Sequence, residues 1–320
     1  MKSMLAIGEC MMEIIEHSPE LLKRSFAGDT FNALVYAKCY ASKQLDCQYF
    51  TAVGVDAISD SMLSRFEDSG INQRAVLRTP DATVGIYAIS TDSQGERRFS
   101  YWRNDSAAKQ MMRLLPITQL VKKLGRYDLV FFSGISLGIL SDSDKHLLMD
   151  TIRELRQQGA LIAFDPNYRP AMWRNKEHAI EWIISAYQQS DIVLPGIEEH
   201  QHLFGHQSPE EIVHFCDPKG EKEVVAKCAE AGTYVYVNGE MLGNCPFVPA
   251  PQQIDSTAAG DSFAGTYLAS RLCANSIEAA LFDACEVARC VVQHRGAMLP
   301  NDVYRQIPLE AAHLFTVDVV

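Results

Sequence analysis

Short apolar segments alternate with longer amphipathic ones along this 320-residue chain, and this rhythm restricts the fold more than any other feature. Several of the short segments are apolar without strict alternation, which is typical of strands buried on both faces of a sheet. Between them, helices are predicted over 56–70 and 141–160. The order predicts a doubly wound, mainly parallel α/β sheet flanked by helices. The predicted strands are MLAIGE (4–9), CQYFTAVG (47–54), DLVFFSGI (128–135), ALIAFDP (160–166), DIVLP (191–195) and KEVVAK (222–227).

Two segments break this rhythm. Residues 83–102 alternate with period two on both sides of a Ser93-Gln94-Gly95 turn, and residues 10–28 form two short strand patterns around Ser18-Pro19. Both patterns are typical of β-hairpins. We interpret 10–28 and 83–103 as a small antiparallel β-sheet lid on a single domain that spans 1–320, because no linker or internal repeat divides the chain.

Composition excludes several classes of partner. The formal charge is −11 and the isoelectric point is near 5.3, whereas nucleic acids and anionic membranes attract clustered Lys and Arg. Hydrophobic residues make up 47% of the chain, enough for a large core. The nine cysteines are scattered without a Cys-x-x-Cys pair, which predicts reduced thiols. Because no signal peptide or membrane-spanning segment is recognisable, we expect a cytoplasmic protein.

The segment DSTAAGDSFAG (255–265) carries the strongest chemical signal. Apolar residues at helical spacing follow Gly260, so the amides of Ala258, Ala259 and Gly260 are expected at a helix N-terminus, where an anion is stabilised. Asp261 would lie in the first helical turn. On these residues alone two interpretations remain: Asp261 complements the helix dipole, or it performs chemistry beside an anion.

The same segment resembles the second signature of the ribokinase-like (PfkB) carbohydrate kinases, Asp-Thr-x-Gly-Ala-Gly-Asp. Asp255, Gly260 and Asp261 match, while Ser256 replaces the threonine and Ala258-Ala259 replaces Gly-Ala. The resemblance implies a ribokinase-like fold and phosphoryl transfer from ATP. It implies that Asp261 is the catalytic base and that the 258–260 amides are an anion hole, roles that suit a reaction governed by positioning and charge.

Other family motifs follow the same order over nearly the whole chain. FAGDTFNALVYA (26–37) resembles the first signature, in which Gly28 and Asn32 line the sugar site, although Ala27 replaces a glycine. Asp29-Thr30, in isolation, is an ordinary helix start.

Two arginine-containing segments, FSYWRNDSAA (99–108) and IAFDPNYRPAMW (162–173), resemble the branch of the family that phosphorylates 2-keto-3-deoxygluconate. The resemblance implies that Arg103 and Arg169 bind the substrate carboxylate, a role for which arginine is suited. The alternatives are an exposed hairpin charge for Arg103 and an ion pair with Asp165 for Arg169. Further substrate contacts implied by the resemblance are Tyr101, Ile135 in SGISLGIL and, more weakly, Tyr87.

The nucleotide side departs from the family pattern. The usual Lys-x-Gly-x-x-Gly becomes KCAEAG, in which only Lys227 and Gly232 survive as expected ATP contacts, and Glu230 is expected to face solvent. Asn-x-x-Glu becomes Gly196-x-x-Glu199. Glu199 would influence Mg²⁺ through water, because Mg²⁺ retains several waters; the alternative is a solvated helix start.

The sequence thus predicts an ATP- and Mg²⁺-dependent kinase, a phosphotransferase with an alcohol acceptor, that converts 2-keto-3-deoxygluconate to its 6-phosphate. Kinases for the galactonate epimer, fructose or ribose are the nearer alternatives. A sugar-acid-binding protein without catalysis is a more distant one, suggested by the altered Lys227–Gly232 loop. The lid strands also suggest association of copies of the chain through the lid.

Overall fold

A computed structural model describes residues 1–18, 20–91 and 97–311. The strands are β1 (Lys2–Ile7), β2 (Met11–Ser18), β3 (Leu21–Ala27), β4 (Leu45–Phe50), β5 (Ala52–Val53), β6 (Leu77–Arg78), β7 (Ile86–Thr91), β8 (Arg97–Trp102), β9 (Leu129–Ser133), β10 (Leu161–Asp165), β11 (Ile192–Val193), β12 (Glu223–Lys227), β13 (Thr233–Val237) and β14 (Glu240–Cys245). The helices are α1 (Asp29–Ala41), α2 (Ala57–Asp68), α3 (Ile117–Leu124), α4 (Gly134–Gly138), α5 (Asp142–Gln157), α6 (Lys176–Gln189), α7 (Ile197–Phe204), α8 (Pro209–Cys216), α9 (Ala259–Leu272), α10 (Ile277–Val291) and α11 (Asn301–Tyr304).

The main sheet has the strand order β14-β13-β12-β11-β10-β9-β1-β4. The six strands from β12 to β4 pair in parallel, and each of the six predicted segments overlaps one of them. Successive residues of a strand face opposite sides of the sheet, and both sides are covered here: Met4 and Ala6 belong to one core cluster, whereas Leu5 and Ile7 belong to the other. This two-sided burial explains why the strand segments lack polar alternation.

The edge formed by β13 and β14 is antiparallel and was not predicted. The two strands are joined at Asn238-Gly239, where both residues have positive φ (53° and 80°). An Asn-Gly pair in this conformation is the preferred two-residue hairpin turn, because its twist matches that of the flanking strands. The dipeptide was therefore a usable signal for this hairpin.

The lid is a separate four-stranded sheet with the order β3-β2-β7-β8. β2–β3 and β7–β8 are antiparallel hairpins, as predicted, and the two hairpins join through a parallel β2–β7 pair. The predicted Ser93-Gln94-Gly95 turn and Pro19 lie outside the described residues. The assignment of the whole chain to one domain stays a prediction. Within the described residues, none of the helices combines the length and apolarity needed to cross a membrane.

Helices α1 and α9 pack against each other unusually closely. A Cβ atom added to Gly265 of α9 would lie 1.9 Å from the carbonyl oxygen of Ala33 in α1, so only glycine fits there. Asn32 precedes Ala33, and Asp261 lies one helical turn before Gly265. The contact therefore sets the distance between the two side chains that were predicted to share the site.

We expect Gly265→Ala to destabilise the fold despite the higher helix propensity of alanine. The added methyl must push α1 and α9 apart, and overpacking of this kind typically costs about 1–3 kcal/mol. Thermal unfolding should show a lower Tm, and activity should fall with it because Asn32 moves relative to Asp261. Ser64→Ala, on the exposed face of α2, is the control and should leave both unchanged. An unaltered Tm for Gly265→Ala would contradict the close approach.

Candidate active site

The carboxyl ends of three main-sheet strands carry polar side chains that meet at one edge. Ser133 ends β9, Asp165 ends β10 and Lys227 ends β12. Lys227 Nζ donates a hydrogen bond to Asp165 Oδ2 at 2.7 Å, and Ser133 Oγ donates to Asp29 Oδ2 in the first turn of α1 at 2.5 Å. The site therefore forms where open α/β sheets bind their ligands, outside the carboxyl ends of the strands.

Asp261, in the first turn of α9, lies within this cluster. The Nδ2 of Asn32 donates to Asp261 Oδ2 at 2.8 Å, and the Oδ1 of Asn32 accepts from the amide of Gly28 at 3.3 Å, which orients the Asn32 amide. Burial, together with the charge of Asp29, raises the pKa of Asp261 to about 7, although Arg169 and the Asn32 hydrogen bond oppose the shift. A carboxyl group with this pKa can accept a proton near neutral pH.

The predicted anion-hole segment is tightly turned. Ala258 has φ 61° in the left-handed region and caps α9. One expectation is wrong: the amide of Ala259 is not free but donates to the Ser256 carbonyl at 3.3 Å, because the turn folds back on itself. Within the described residues, the amides of Ala258 and Gly260 have no such partner. A Cβ on Gly260 would meet nothing within 4 Å, so open space adjoins this helix start.

Asp255 holds this turn in place. Its Oδ1 accepts from the Thr257 amide at 3.0 Å, and its Oδ2 accepts from the Gly296 amide at 2.7 Å. The carboxylate is buried, with only 6% of the residue exposed. Asp255, a residue that matches the family signature, thus connects the segment before α9 to the loop after α10.

Glu199 is not a solvated helix start, and that alternative is wrong. Its Oε1 accepts from the Tyr168 amide at 3.0 Å and its Oε2 from the Gly196 amide at 3.2 Å, because Glu199 closes the first turn of α7. Burial and the nearby Asp165 raise its pKa to about 7, against the opposing effect of Lys227. The site therefore holds Glu199 beside Asp165, with Lys227 as a neighbouring cation.

Arg169 does not pair with Asp165, because the Asp165 carboxylate is occupied by Lys227 and by the Asn167 amide. The alternative that made Arg169 a structural ion pair is therefore wrong. Arg169 is exposed, and within the described residues it forms no ion pair. It nevertheless lies close enough to Asp261 to lower the pKa of that carboxyl. Its guanidinium is available to a ligand.

Arg103 is not the exposed hairpin charge that was the alternative to substrate binding. Its side chain is only 16% exposed, so it is not a free hairpin charge, and it forms an ion pair with the fully buried carboxylate of Glu9. Ser106 Oγ donates a further hydrogen bond to Glu9. Glu9 follows β1 and was not predicted as a site residue. The buried carboxylate of Glu9 positions Arg103, whereas Arg169 has no such counter-charge among the described residues.

The remaining predicted substrate residues divide into two groups. Tyr87 is buried and its hydroxyl donates to Glu13, so this hydroxyl is already engaged. Tyr101 is its cross-strand neighbour on β8, with ring centroids 5.9 Å apart, and is 54% exposed. Ile135 lies partly buried in α4, directly after the Ser133 strand end. Tyr101 is thus the more accessible of the two tyrosines.

Gly28 and Gly232 are both required by close backbone contacts. A Cβ on Gly28 would lie 2.1 Å from the Glu9 carbonyl oxygen. Gly232 has φ 96° between β12 and β13, where a Cβ would lie 2.5 Å from the Cys245 carbonyl oxygen. Gly232 therefore supports the loop after Lys227 through packing, and Glu230 in that loop is exposed, as expected.

Several polar residues of the site were not predicted as site residues from the sequence. Asp29 accepts from Ser133 and, at 3.2 Å, from Asn167 Nδ2, while its buried Oδ1 has no partner within the described residues. Burial raises the pKa of Asp29. Asp165 and Asn167 follow directly from the end of β10. The position of each at a predicted strand end or helix start was the signal that could have identified it.

We expect Asp261→Asn to stabilise the protein, increasingly so as the pH rises from about 4 to about 7, with no further increase above that pH. The pKa of Asp261 is about 7 in the folded chain but near its ordinary value when unfolded, so the folded state binds the proton more tightly. The carboxyl therefore contributes stability that is lost as pH rises through about 7, whereas asparagine does not titrate. Thermal unfolding of both proteins at several pH values measures this, and a pH-independent Tm difference would contradict the raised pKa.

Comparison with known proteins places this geometry in a family. The family model for "pfkB family carbohydrate kinase" matches residues 1–303. The chain is similar to the 2-dehydro-3-deoxygluconokinase of Escherichia coli, with 37% identity over 304 residues that cover 94% of this chain and 98% of that protein. It is 34% identical to the enzyme of the same name from Dickeya dadantii over 302 residues, 93% of this chain and 97% of the relative.

The fold is also that of a solved kinase structure. The chain superimposes on the fructokinase with bound ATP from Xylella fastidiosa with a TM-score of 0.78 at 20% sequence identity, covering 95% of this chain and 97% of that one. The family model and the full-length similarity to curated relatives agree. The chain belongs to the pfkB family of carbohydrate kinases.

Proposed function

We propose that this protein transfers the γ-phosphoryl group of ATP to the 6-hydroxyl of 2-dehydro-3-deoxygluconate, also called 2-keto-3-deoxygluconate, in sugar-acid catabolism. The observation that carries the proposal is the Asp261 carboxyl, with a pKa of about 7, beside the helix start at Gly260. The full-length relatives from Escherichia coli and Dickeya dadantii carry the name of this activity. Exposed Arg169 supports an acidic sugar as the acceptor.

Asp261 is the proposed general base. Its Oδ accepts the proton of the 6-hydroxyl as that oxygen forms a bond to the γ-phosphorus and the bond from phosphorus to the bridging oxygen breaks, leaving ADP. Asn32 fixes the carboxylate through its 2.8 Å hydrogen bond. A base whose pKa is close to the working pH combines a usable ionised fraction with adequate basicity. Hydrogen bonds and positioning provide most of the catalysis in phosphoryl transfer.

The turn before α9 is the proposed anion hole. The amides of Ala258 and Gly260 have no partner among the described residues, and the space beside Gly260 admits a phosphoryl oxygen. Amides at a helix N-terminus stabilise negative charge. Because the amide of Ala259 is engaged with Ser256, we assign the anion contacts to Ala258 and Gly260 and not to all three residues.

The carboxylates at the strand ends fit a magnesium ion that is held mainly through water. Within the described part of the chain, no group of three His, Cys, Asp or Glu side chains is placed to hold a metal directly. Mg²⁺ commonly binds through one or two carboxylates and retained waters. Glu199 and Asp165 would hold it, and the ion would neutralise polyphosphate charge. Lys227 and the Gly232 loop are the proposed contacts to ATP.

We assign binding of the substrate carboxylate to Arg169. Arg103, which is paired with Glu9, is the second proposed contact. The carboxylate of Glu9 already offsets the charge of Arg103, whereas Arg169 is exposed and unpaired within the described residues. Gly28, Tyr101 and Ile135 would line the sugar. Neutral sugars such as fructose or ribose offer no carboxylate for Arg169.

We expect Arg169→Ala to raise the KM for 2-dehydro-3-deoxygluconate roughly 10- to 100-fold, since a hydrogen bond to a charged group contributes about 1.5–3 kcal/mol. The Tm should not change, because Arg169 is exposed. Arg103→Ala should lower the Tm as well, because it leaves the buried Glu9 carboxylate unpaired. Arg174→Ala, a 70%-exposed arginine nearby, is the control. Equal effects of Arg169→Ala on acidic and neutral sugars would contradict the assignment.

We expect Asp261→Asn to abolish turnover while substrate binding stays largely intact. A coupled ADP-release assay measures turnover over a panel of 2-keto-3-deoxygluconate, its galactonate epimer, fructose and ribose. The highest kcat/KM is expected for a ketodeoxy acid, and the panel determines which epimer is preferred. Near-normal kcat in the variant would refute the base assignment, and the absence of ADP release with every sugar would favour a non-catalytic binding protein.

The cellular location and the association of copies belong to the same proposal. Free cysteines suit a reducing compartment, and we place the protein in the cytoplasm. Association of copies through the lid stays a prediction. Large side chains exposed on the lid strands support it, namely Leu21, Leu22, Phe99, Tyr101 and Trp102.

A further inference from the structure

Two cysteines meet where the last strand of the main sheet packs on α10. A Cβ added to Gly243 of β14 would lie 2.9 Å from Ile277 Cγ2 and 3.6 Å from Leu281 Cδ2, so the strand rests directly on the helix. Cys245 follows two residues later on the same face of the strand, and Cys285 follows one turn later on the helix. The two thiols are therefore neighbours and each shifts the pKa of the other, while Cys245 Sγ donates to the Pro246 carbonyl oxygen at 3.8 Å.

The pair has the properties of a reactive site. Both residues are free and partly exposed, which leaves them open to small oxidants. The neighbouring thiol of Cys285 lowers the pKa of Cys245 to about 7, whereas every other cysteine of the chain has its pKa raised, in most cases by burial. A thiolate, and not a thiol, attacks oxidants, so Cys245 is the expected nucleophile.

The pair is connected to the loop that we assign to ATP. Lys227, Thr233 and Cys245 lie in one row across β12, β13 and β14. Thr233 also lies close enough to Cys285 to lower the pKa of that thiol. Gly232 touches the backbone of Cys245 so closely that no Cβ fits between them. A displacement of Cys245 toward α10 must therefore move the Gly232 loop.

We propose that Cys245 and Cys285 form a reversible disulfide on reaction with a peroxide, and that this modification weakens ATP binding; the second half rests on the proposed function. The Cys245 sulfur attacks a peroxide oxygen, the O–O bond breaks, and a sulfenic acid forms. The Cys285 sulfur then attacks the Cys245 sulfur and water leaves. With hydrogen peroxide, two thiols are oxidised to one disulfide and the peroxide is reduced to two waters. A disulfide requires the sulfurs to approach to about 2 Å, which draws the end of β14 toward α10.

The experiment treats the full-length protein with hydrogen peroxide and then removes the peroxide. Titration of free thiols should show a loss of two of the nine, and mass spectrometry of peptides should identify the 245–285 link. Calorimetric titration with Mg·ATP should show a Kd raised roughly tenfold, because a displacement of about 1 Å at a binding loop has large effects. The KM for the sugar acid should stay unchanged, and dithiothreitol should restore the ATP affinity.

Variants provide the controls. Cys245→Ser and Cys285→Ser should each keep the reduced-state ATP affinity and lose the response to peroxide. Cys290→Ser removes another partly exposed thiol of the same helix and should retain the full response. A different cysteine pairing, or no disulfide, would overturn the site. A 245–285 disulfide with unchanged ATP affinity would overturn the regulatory effect.

The test separates this inference from the proposed function. Thiol counting and peptide mapping require no turnover, so the disulfide can be established in a protein that phosphorylates none of the tested sugars. Conversely, a wild-type enzyme with full kinase activity that forms no 245–285 link after peroxide treatment would refute only the switch.

Discussion

The close contact between α1 and α9 is the constraint on which the site depends. The two helices begin at the same edge of the sheet, and the absence of a side chain at Gly265 lets the Ala33 backbone approach. This approach places Asn32 within 2.8 Å of Asp261, although 229 residues separate them in sequence. Helix packing at this distance has little freedom to relax, because interiors are close-packed. Packing of two buried helices therefore positions the proposed base, Asp261. The loops contribute only residues around it.

A second constraint is the concentration of negative charge at that edge. Burial and mutual repulsion raise the pKa values of Asp29, Glu199 and Asp261, and Lys227 provides compensation through Asp165. In the ligand-free protein this arrangement lowers the stability of the fold, because like charges at close range disfavour ionisation. Cations or phosphate-bound metal ions entering the site would relieve that cost. The arrangement therefore favours ligands that bring positive charge together with polyphosphate.

The sequence predicted the framework better than the contacts. Each parallel strand was recognisable because burial on both faces removes polar alternation, and the segment of Asp261 was recognisable from small residues before an apolar helix. The ion pair of Arg103 with Glu9 was not, because tertiary packing joins Glu9, just after β1, to Arg103, just after β8. The same holds for Glu199, whose sequence context is polar although its carboxylate is held by two backbone amides. Local pattern determines which elements form, but not which charges they enclose.

The departures from the family motifs fall where neighbouring groups already determine the backbone. Ala258 stands at a position usually held by glycine and adopts φ 61°, a conformation that disfavours an alanine by about 1–2 kcal/mol. Asp255 accepts from the Thr257 amide within this turn and from the Gly296 amide in the loop after α10, so the turn keeps its shape despite the side chain. Strain that persists at a site must be maintained by the surrounding structure, and here one buried carboxylate supplies that support. The proposed anion hole therefore depends on Asp255 more than on the identity of the residue at 258, which is why the altered motif is compatible with phosphoryl transfer.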